Sequence, residues 1–253
     1  MVDIHSHILP GLDDGSPTLE ASVEMLERAA ADGITHMVGT PHANPHYEFQ
    51  PEVNRELLAQ LRERAPRNLQ VFGGCDFHLS FENLSLLRQQ PRDFTINQRN
   101  YLLVEFSDFG LVPNLLQILH EVMLAHLVPV VTHPERNALL CRDAALLERM
   151  VELGTCAQVT AQSLTGHFGR HAKRCAWEWL ERGLVHFVAS DSHNLTSRPP
   201  LLSPAYKLVA KRLGEAVAGA LFHNNPLAAI EGRPLPYLPE PLPRRRKKFL
   251  RFI

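Results

Sequence analysis

Residues 2–7 read V-D-I-H-S-H and residues 187–193 read F-V-A-S-D-S-H, two apolar runs at opposite ends of the chain that each close on a pair of metal-binding side chains. Four more runs end in the same manner. I-T-H-M-V-G-T-P-H (34–42) closes on His42, L-Q-V-F-G-G-C-D (69–76) on Asp76, Y-L-L-V-E (101–105) on Glu105 and V-P-V-V-T-H (128–133) on His133. Asp14 follows the first run in the loop that begins the next connection. Short apolar runs of this kind read as buried strands. Parallel strands that each deliver a ligand at the carboxyl end build an active site on one rim of an α/β barrel.

Side-chain geometry supports the same reading locally. His5 and His7 are two residues apart, so on a strand they point to one face and can grip one ion together. Asp191 and His193 repeat that spacing. His133 precedes Pro134, which turns the chain out of the strand. Glu105 stands behind Leu102, Leu103 and Val104. A buried carboxylate there needs compensation, from a cation or from an arginine. Imidazole and carboxylate donors suit Mn, Fe or Zn, whereas a thiolate structural site is not indicated. His5, His7, Asp14, His42, Asp76, Glu105, His133, Asp191 and His193 are too many for one ion. Two or three divalent ions sharing carboxylates would bind phosphate oxygens and supply hydroxide at neutral pH.

Between these runs lie helical stretches. Ser16-Pro17 reads as an N-cap followed by proline at the first helical position, and Leu19, Val23, Leu26 and Ala30 then share a face until Gly33. Further helices are expected at about 52–65, 113–127, 142–153, 169–182 and 204–223, with strands near 2–6, 35–40, 69–74, 101–105, 129–132, 155–159 and 185–190. Alternation of this kind predicts a parallel sheet with crossover helices, and seven strands fit a closed or nearly closed barrel. From about Asn225 the pattern stops. Pro226, Pro234, Pro236, Pro239, Pro241 and Pro243 crowd a segment expected to wrap the barrel as an extended strap. The expected organisation is one barrel domain over 1–232, then a strap and basic tail over 233–253.

A chain of 253 residues with 45% hydrophobic content can bury a core without disulfides. Its four cysteines form no C-x-x-C pair, so they are expected to be reduced. The start, M-V-D-I-H, lacks a basic, apolar export signal, and no run nears the roughly 20 apolar residues that span a bilayer. A cytoplasmic location is expected. The net charge of −1 conceals an asymmetry: residues 244–253 hold six of 26 basic residues and no acid, leaving 20 basic against 27 acidic residues, or −7, elsewhere. That tail, with Phe249, Leu250, Phe252 and Ile253 interleaved, could meet anionic lipid as a peripheral membrane contact, or be a solvated terminus. Nothing else favours nucleic acid.

Cysteine-based phosphatase chemistry is excluded by spacing. It needs arginine six positions after the cysteine, where this chain has Phe81, Leu147, Gln162 and Glu181. Neither a D-x-D-x-T motif nor a G-x-x-x-x-G-K loop occurs.

Taken together, D-I-H-S-H-I-L-P-G-L-D-D-G-S, G-T-P-H, Y-L-L-V-E-F, T-H-P-E-R and A-S-D-S-H-N-L-T-S-R-P-P resemble the bacterial metal-dependent protein-tyrosine phosphatases of the polymerase-and-histidinol-phosphatase (PHP) superfamily. The resemblance runs over roughly residues 1–232. It implies a distorted (β/α)7 barrel with a trinuclear site at the carboxyl rim, manganese being the metal usually favoured. One ion would use His5, His7, Asp76 and Asp191, a second Asp76, Glu105 and His133, and a third Asp14, His42 and His193. Arg136 and Arg198 match the family's phosphate-binding arginines. The family usually has glutamate where this chain has Asp76, one methylene shorter. His78 could share the Asp76 face, and His46 is a candidate general acid.

The activity so implied is hydrolysis of phosphotyrosine by a metal-bridging hydroxide. The implied substrate is the tyrosine-rich tail of a bacterial tyrosine kinase controlling capsule or exopolysaccharide synthesis. Relatives can form rings, and the helix with Glu20, Glu24 and Arg28 could contribute to a homo-oligomer. The main competing reading is a small-molecule PHP phosphatase such as histidinol-phosphate phosphatase. A silent metal-binding module is disfavoured by a full ligand set with both arginines.

Overall fold

The computed structural model describes residues 1–107 and 110–242. The amino-terminal half runs β1 Val2–Ser6, α1 Leu19–Ala31, β2 His36–Gly39, β3 His42–Ala43, α2 Pro51–Arg64, β4 Gln70–Gly73, β5 Asp76–His78 and α3 Phe81–Gln89. It continues through β6 Tyr101–Glu105, α4 Leu115–Leu124, β7 Val128–Thr132, α5 Ala138–Arg142, α6 Ala144–Leu153 and β8 Cys156–Thr160. The last elements are α7 Ala161–Thr165, α8 Gly169–Glu181, β9 Phe187–Ala189, α9 Ser203–Leu213, α10 Glu215–Gly219 and α11 Asn225–Glu231.

All strand pairs are parallel, in two sheets ordered β1-β2-β4 and β3-β5-β6-β7-β8-β9. The division falls where the apolar runs 34–42 and 69–76 are each interrupted, so that β3 and β5 begin beyond the strands expected at 35–40 and 69–74. Thr40-Pro41 separates β2 from β3, because proline brings no N–H to the ladder. Gly73-Gly74 separates β4 from β5 at the same level, and a Cβ on Gly74 would lie 3.1 Å from Val38 Cγ1 and Thr40 Cγ2. Gly74 N still donates to Gly39 O (2.9 Å) and Asp76 N to Pro41 O (3.1 Å), so the backbones run on side by side. At the far edge the first and last runs meet. Asp191 N donates to His5 O and His7 N to Ser192 O, both at 2.8 Å.

The strands are buried on both faces, as a parallel sheet covered by crossover helices requires. Leu102, Val104, Val131, Ala157, Val159 and Val188 join the larger apolar cluster with the helices. Their alternate neighbours Tyr101, Leu103, Val130, Cys156, Phe187 and Ala189 form a second cluster with Val2 and Ile4. Glu105 and Gln158 continue that second face toward the carboxyl ends of β6 and β8.

Three expectations need correcting. The first helix is capped by Thr18, whose Oγ1 accepts from Ala21 N at 3.2 Å, so it begins at Leu19 and Pro17 lies outside it. Ser16 instead donates to Thr18 O at 3.0 Å. The stretch 204–223 is not one helix: Gly214 at φ +96° divides α9 from α10, and a wide π turn covers Ala220–Asn224. Nor is the chain after Asn225 extended from the outset. Pro226 sits in the first turn of α11, where its missing N–H is harmless, and Ala229 and Ile230 pack into the second apolar cluster. Tyr101 Oη then donates to Arg233 O (2.8 Å), and Asn225 Nδ2 to His186 O (3.0 Å) and Tyr237 O (2.8 Å). These contacts lie at the amino ends of β6 and β9, away from the ligands. The basic tail 244–253 lies outside the described residues. Among the described residues no helix is long and apolar enough to cross a membrane.

Candidate metal centre

All nine sequence-predicted ligands converge at the carboxyl ends of the strands. Each of the five imidazoles lies within ion-pair distance of a carboxylate in the set. His5 Nε2 is 3.5 Å from both Asp76 Oδ2 and Asp191 Oδ1, and His7 Nε2 is 3.3 Å from Asp191 Oδ1. His42 reaches in two directions, Nδ1 to Asp76 Oδ2 (3.2 Å) and Glu105 Oε2 (3.6 Å), Nε2 to Asp14 Oδ1 (3.5 Å). His193 Nε2 is also 3.5 Å from Asp14 Oδ1. His133 Nε2 stands 3.6 Å from Glu105 Oε1 and 4.0 Å from Asp76 Oδ2.

Three subsets have donor atoms close enough to share an ion: His7, Asp14, His42 and His193; His5, His7 and Asp76; and His42, Asp76 and Glu105. They overlap through His7, His42 and Asp76. The donors fit cations by a second criterion. His5 Nε2, His7 Nε2, His42 Nδ1, His193 Nε2 and Asp76 Oδ2 are buried with no hydrogen-bond partner. Buried polar atoms are seldom left unpaired without a reason such as an ion.

Outer contacts fix which nitrogen faces inward. His5 Nδ1 donates to Gln158 Oε1 (2.9 Å), and His193 Nδ1 to Asp191 O (3.1 Å). His7 Nδ1 donates to Asp13 Oδ2 (2.7 Å). Asp13 is a residue of this cluster that sequence reading passed over. Its side chain is buried, accepting also from His42 N (3.0 Å) and Gly15 N (2.9 Å). A Cβ on Gly15 would lie 2.2 Å from His7 O, so the loop closes this tightly only with glycine. The D-D-G motif carried the signal, with both acids available.

Backbone strain gathers here too. His133 (φ +33°) and Asp191 (φ +52°) take left-handed conformations rare for such residues, a feature that clusters at functional sites.

The electrostatics describe an acid-rich cavity that wants positive charge. Burial opposes charge on His42, but Asp14, Asp76 and Glu105 outweigh it and raise the imidazole to about 11. His5 likewise rises to about 9 through Asp76 and Asp191. Burial, then the charge of Arg136, pushes His133 well below the ordinary histidine range, leaving a neutral lone pair. Burial also disfavours charge on Asp191, yet His5, His7, Arg198 and Arg136 hold its carboxyl well below the usual range.

Both predicted arginines reach this cluster. Arg136 Nη1 and Arg198 Nη2 both donate to Asp191 Oδ2, while Asp191 Oδ1 faces the imidazoles. Adjacent Glu135 turns elsewhere, its Oε1 accepting from Ser163 Oγ (2.6 Å) and Thr160 N (3.0 Å). Phe168, also unread in the sequence, lies beneath both guanidiniums, 4.6 Å from Arg136 and 5.9 Å from Arg198. His78 Nδ1 is 3.7 Å from Glu105 Oε2 but belongs to none of the three subsets. His46 is exposed, with its backbone N–H on Asn44 Oδ1. A cavity of about 100 Å³ beside the cluster is lined by Glu105, Thr132, His133, Arg136 and Asn137. A larger one, about 280 Å³, lies elsewhere against Phe49, Asn54, Arg55 and Arg62.

Comparison with known proteins agrees with this geometry. The family model for capsular polysaccharide synthesis, CpsB/CapC, matches residues 1–231. Tyrosine-protein phosphatase YwqE of Bacillus subtilis is 34% identical over 252 residues, covering 97% of this chain and 98% of that protein. Tyrosine-protein phosphatase CpsB of Streptococcus pneumoniae is 32% identical over 239 residues, 91% of this chain and 98% of that one. A solved structure from work on YwqE of B. subtilis and CpsB of S. pneumoniae, described as unique metal-dependent tyrosine phosphatases, superposes with a TM-score of 0.87 at 33% identity, covering 96% of this chain and all of that one. Histidinol phosphate phosphatase of Lactococcus lactis shares the fold alone, at TM-score 0.57 and 12% identity.

Proposed function

This chain belongs to the CpsB/CapC family of capsular polysaccharide synthesis, and from that membership we propose that it is a metal-dependent protein-tyrosine phosphatase. The observation that carries the chemistry is the convergence of five buried, unpartnered donor atoms, from His5, His7, His42, His193 and Asp76, on one acid-lined space.

The ligand set we propose is His5, His7, Asp14, His42, Asp76, Glu105, His133, Asp191 and His193, holding two or three divalent ions, manganese first among them. Cations bound there would lower the pKa of water and neutralise phosphate oxygens. The chain's own residues do the rest. Gln158, Asp13 and the Asp191 carbonyl hold three imidazoles with the coordinating nitrogen turned inward. Arg136 and Arg198 present planar donors for the equatorial oxygens of a phosphoryl group, whose transfer depends on positioning and charge. The leaving phenolate of tyrosine, with a pKa near about 10, departs more readily than an alkoxide.

The seven runs would close as a distorted (β/α)7 barrel over 1–232, with the Asp191–His5 and His7–Ser192 hydrogen bonds as the seam. The proposed substrate is a phosphotyrosine protein, namely the tail of a bacterial tyrosine kinase acting in capsule synthesis. The enzyme would work in the cytoplasm, near the inner leaflet if the tail 244–253 binds anionic lipid. Turnover of a phosphotyrosine peptide, histidinol phosphate and a nucleotide diester, measured side by side with manganese, tests the reading. Preference for histidinol phosphate or the diester would sink it.

A further inference from the structure

Outside the nine proposed ligands, Cys141, His171 and Cys175 each direct one donor atom into a common space, all within 4.8 Å of one another. We propose that these three residues form a second, separate binding site for a thiophilic d10 cation, zinc being the natural occupant. His171 and Cys175 are four residues apart on α8, a spacing that puts both on one face of a helix. Their Nε2 and Sγ atoms are 3.8 Å apart. Cys141 reaches them from α5, across the packing between two separate segments. Two sulfurs and one imidazole are the donors that borderline-soft zinc selects, and three protein ligands leave one tetrahedral position for water.

The third donor separates this arrangement from a dithiol alone. A disulfide would use the two sulfurs and leave His171 idle. Cys75 and Cys156, also buried, belong to no such group among the described residues. Hydrogen bonding from the Cys141 thiol holds Cys175 below the ordinary thiol range, while the same contact, together with burial, pushes Cys141 up. On binding both sulfurs ionise, since the thiolate is what binds.

Occupation changes two contacts and the imidazole tautomer. Cys141 Sγ gives up its 3.2 Å contact with Glu135 O, and both thiol protons leave to solvent. Arg174, exposed, gives up its 3.0 Å hydrogen bond to His171 Nδ1. The imidazole proton then moves to Nδ1, freeing Nε2 for the cation. Two thiolates and a neutral imidazole balance a divalent charge.

The test is a Cd(II) titration of the full-length, reduced protein with its active-site metals in place. The phosphatase ligands are nitrogen and oxygen only, so thiolate-to-cadmium absorption reports this site without relying on activity. A band saturating at one equivalent per chain is expected, displaced by Zn(II) and lost in both Cys141→Ser and Cys175→Ser. His171 is exposed, so His171→Ala keeps the fold, and it should weaken Cd(II) by roughly 10-fold or more, the scale that even outer-shell partners reach. No band in the reduced protein would overturn the proposal. So would a band that persists in the cysteine variants, or unchanged Cd(II) affinity in His171→Ala.

Discussion

The Arg136 guanidinium lies over the ring of Phe168, 4.6 Å from its centroid. Arg198 approaches the same ring at 5.9 Å, and both arginines donate to Asp191 Oδ2. Phe168 therefore lies against both of the arginines proposed to bind phosphate. Cation–π contacts of this kind contribute about 0.5–2 kcal/mol, so Phe168→Ala should cost roughly 2- to 30-fold in kcat/KM for a phosphotyrosine peptide. Bound metal should be unchanged, because Phe168 is not itself a proposed ligand. Equal kinetics in the variant would show that the ring only fills space.

Asp13 takes part through His7. Its carboxylate fixes the imidazole's donor nitrogen and, through His42 N and Gly15 N, pins the loop that bears Asp14. Removing such an outer partner typically costs 10–100-fold in metal affinity, roughly what Asp13→Ala should show in a competitive chelator titration. Asp13→Asn keeps an acceptor for His7 and should lose less. If alanine and asparagine behave alike, and both like the parent, the carboxylate has no hold on the site.

Glu135 offers a pH signature separate from the ligands. Burial raises its carboxyl to about 7 despite hydrogen bonds from Ser163 and Thr160, and Oε2 has no partner. The folded state therefore binds this proton more tightly than the unfolded chain does. Stability from the neutral acid is fully present below the unfolded value of 4.5 and is lost as pH rises toward 7. The difference amounts to at most about 3 kcal/mol. Glu135→Gln cannot ionise, so its denaturation midpoint relative to the parent should improve between those pH values and level off above them. A gap that stays constant across that range would mean Glu135 is ionised throughout.

Much of this centre is legible in the primary structure because ligand chemistry and strand periodicity coincide. H-x-H puts two donors on one face at the end of β1, and an acid behind an apolar run must find a charge. Asp191 and His193 meet the site from beyond β9, with Asp191 in a left-handed conformation that the D-x-H spacing does not show. What the residues did not disclose depends on tertiary approach. Nothing local separates Asp13 from Asp14; the turn at Gly15 decides that one is buried under His7 while the other faces His42 and His193. Phe168 is an aromatic in a connection between two helices, and only packing puts it below the arginines. Pro226 read as the end of regular structure, yet proline in a first turn is compatible with a helix, and Ala229 and Ile230 supply the apolar face that made α11 worth forming.

Asp191 links the two halves of the proposed mechanism, since Oδ1 faces His5 and His7 while Oδ2 receives both arginines. Its loss should therefore act twice. In Asp191→Ala, metal content and turnover should fall together, with the fold retained because the strand ladder around Ala189 and Ser192 does not use the side chain. Arg198→Ala should divide these effects: metal content unchanged, and turnover reduced on the order of 10²-fold, as for loss of one charge-stabilising donor. Elemental analysis of both variants beside phosphopeptide kinetics distinguishes the roles. An Asp191→Ala protein with full metal and normal rates would remove the carboxylate from the centre, and an Arg198→Ala protein that loses metal would make that arginine a structural support for the ligands.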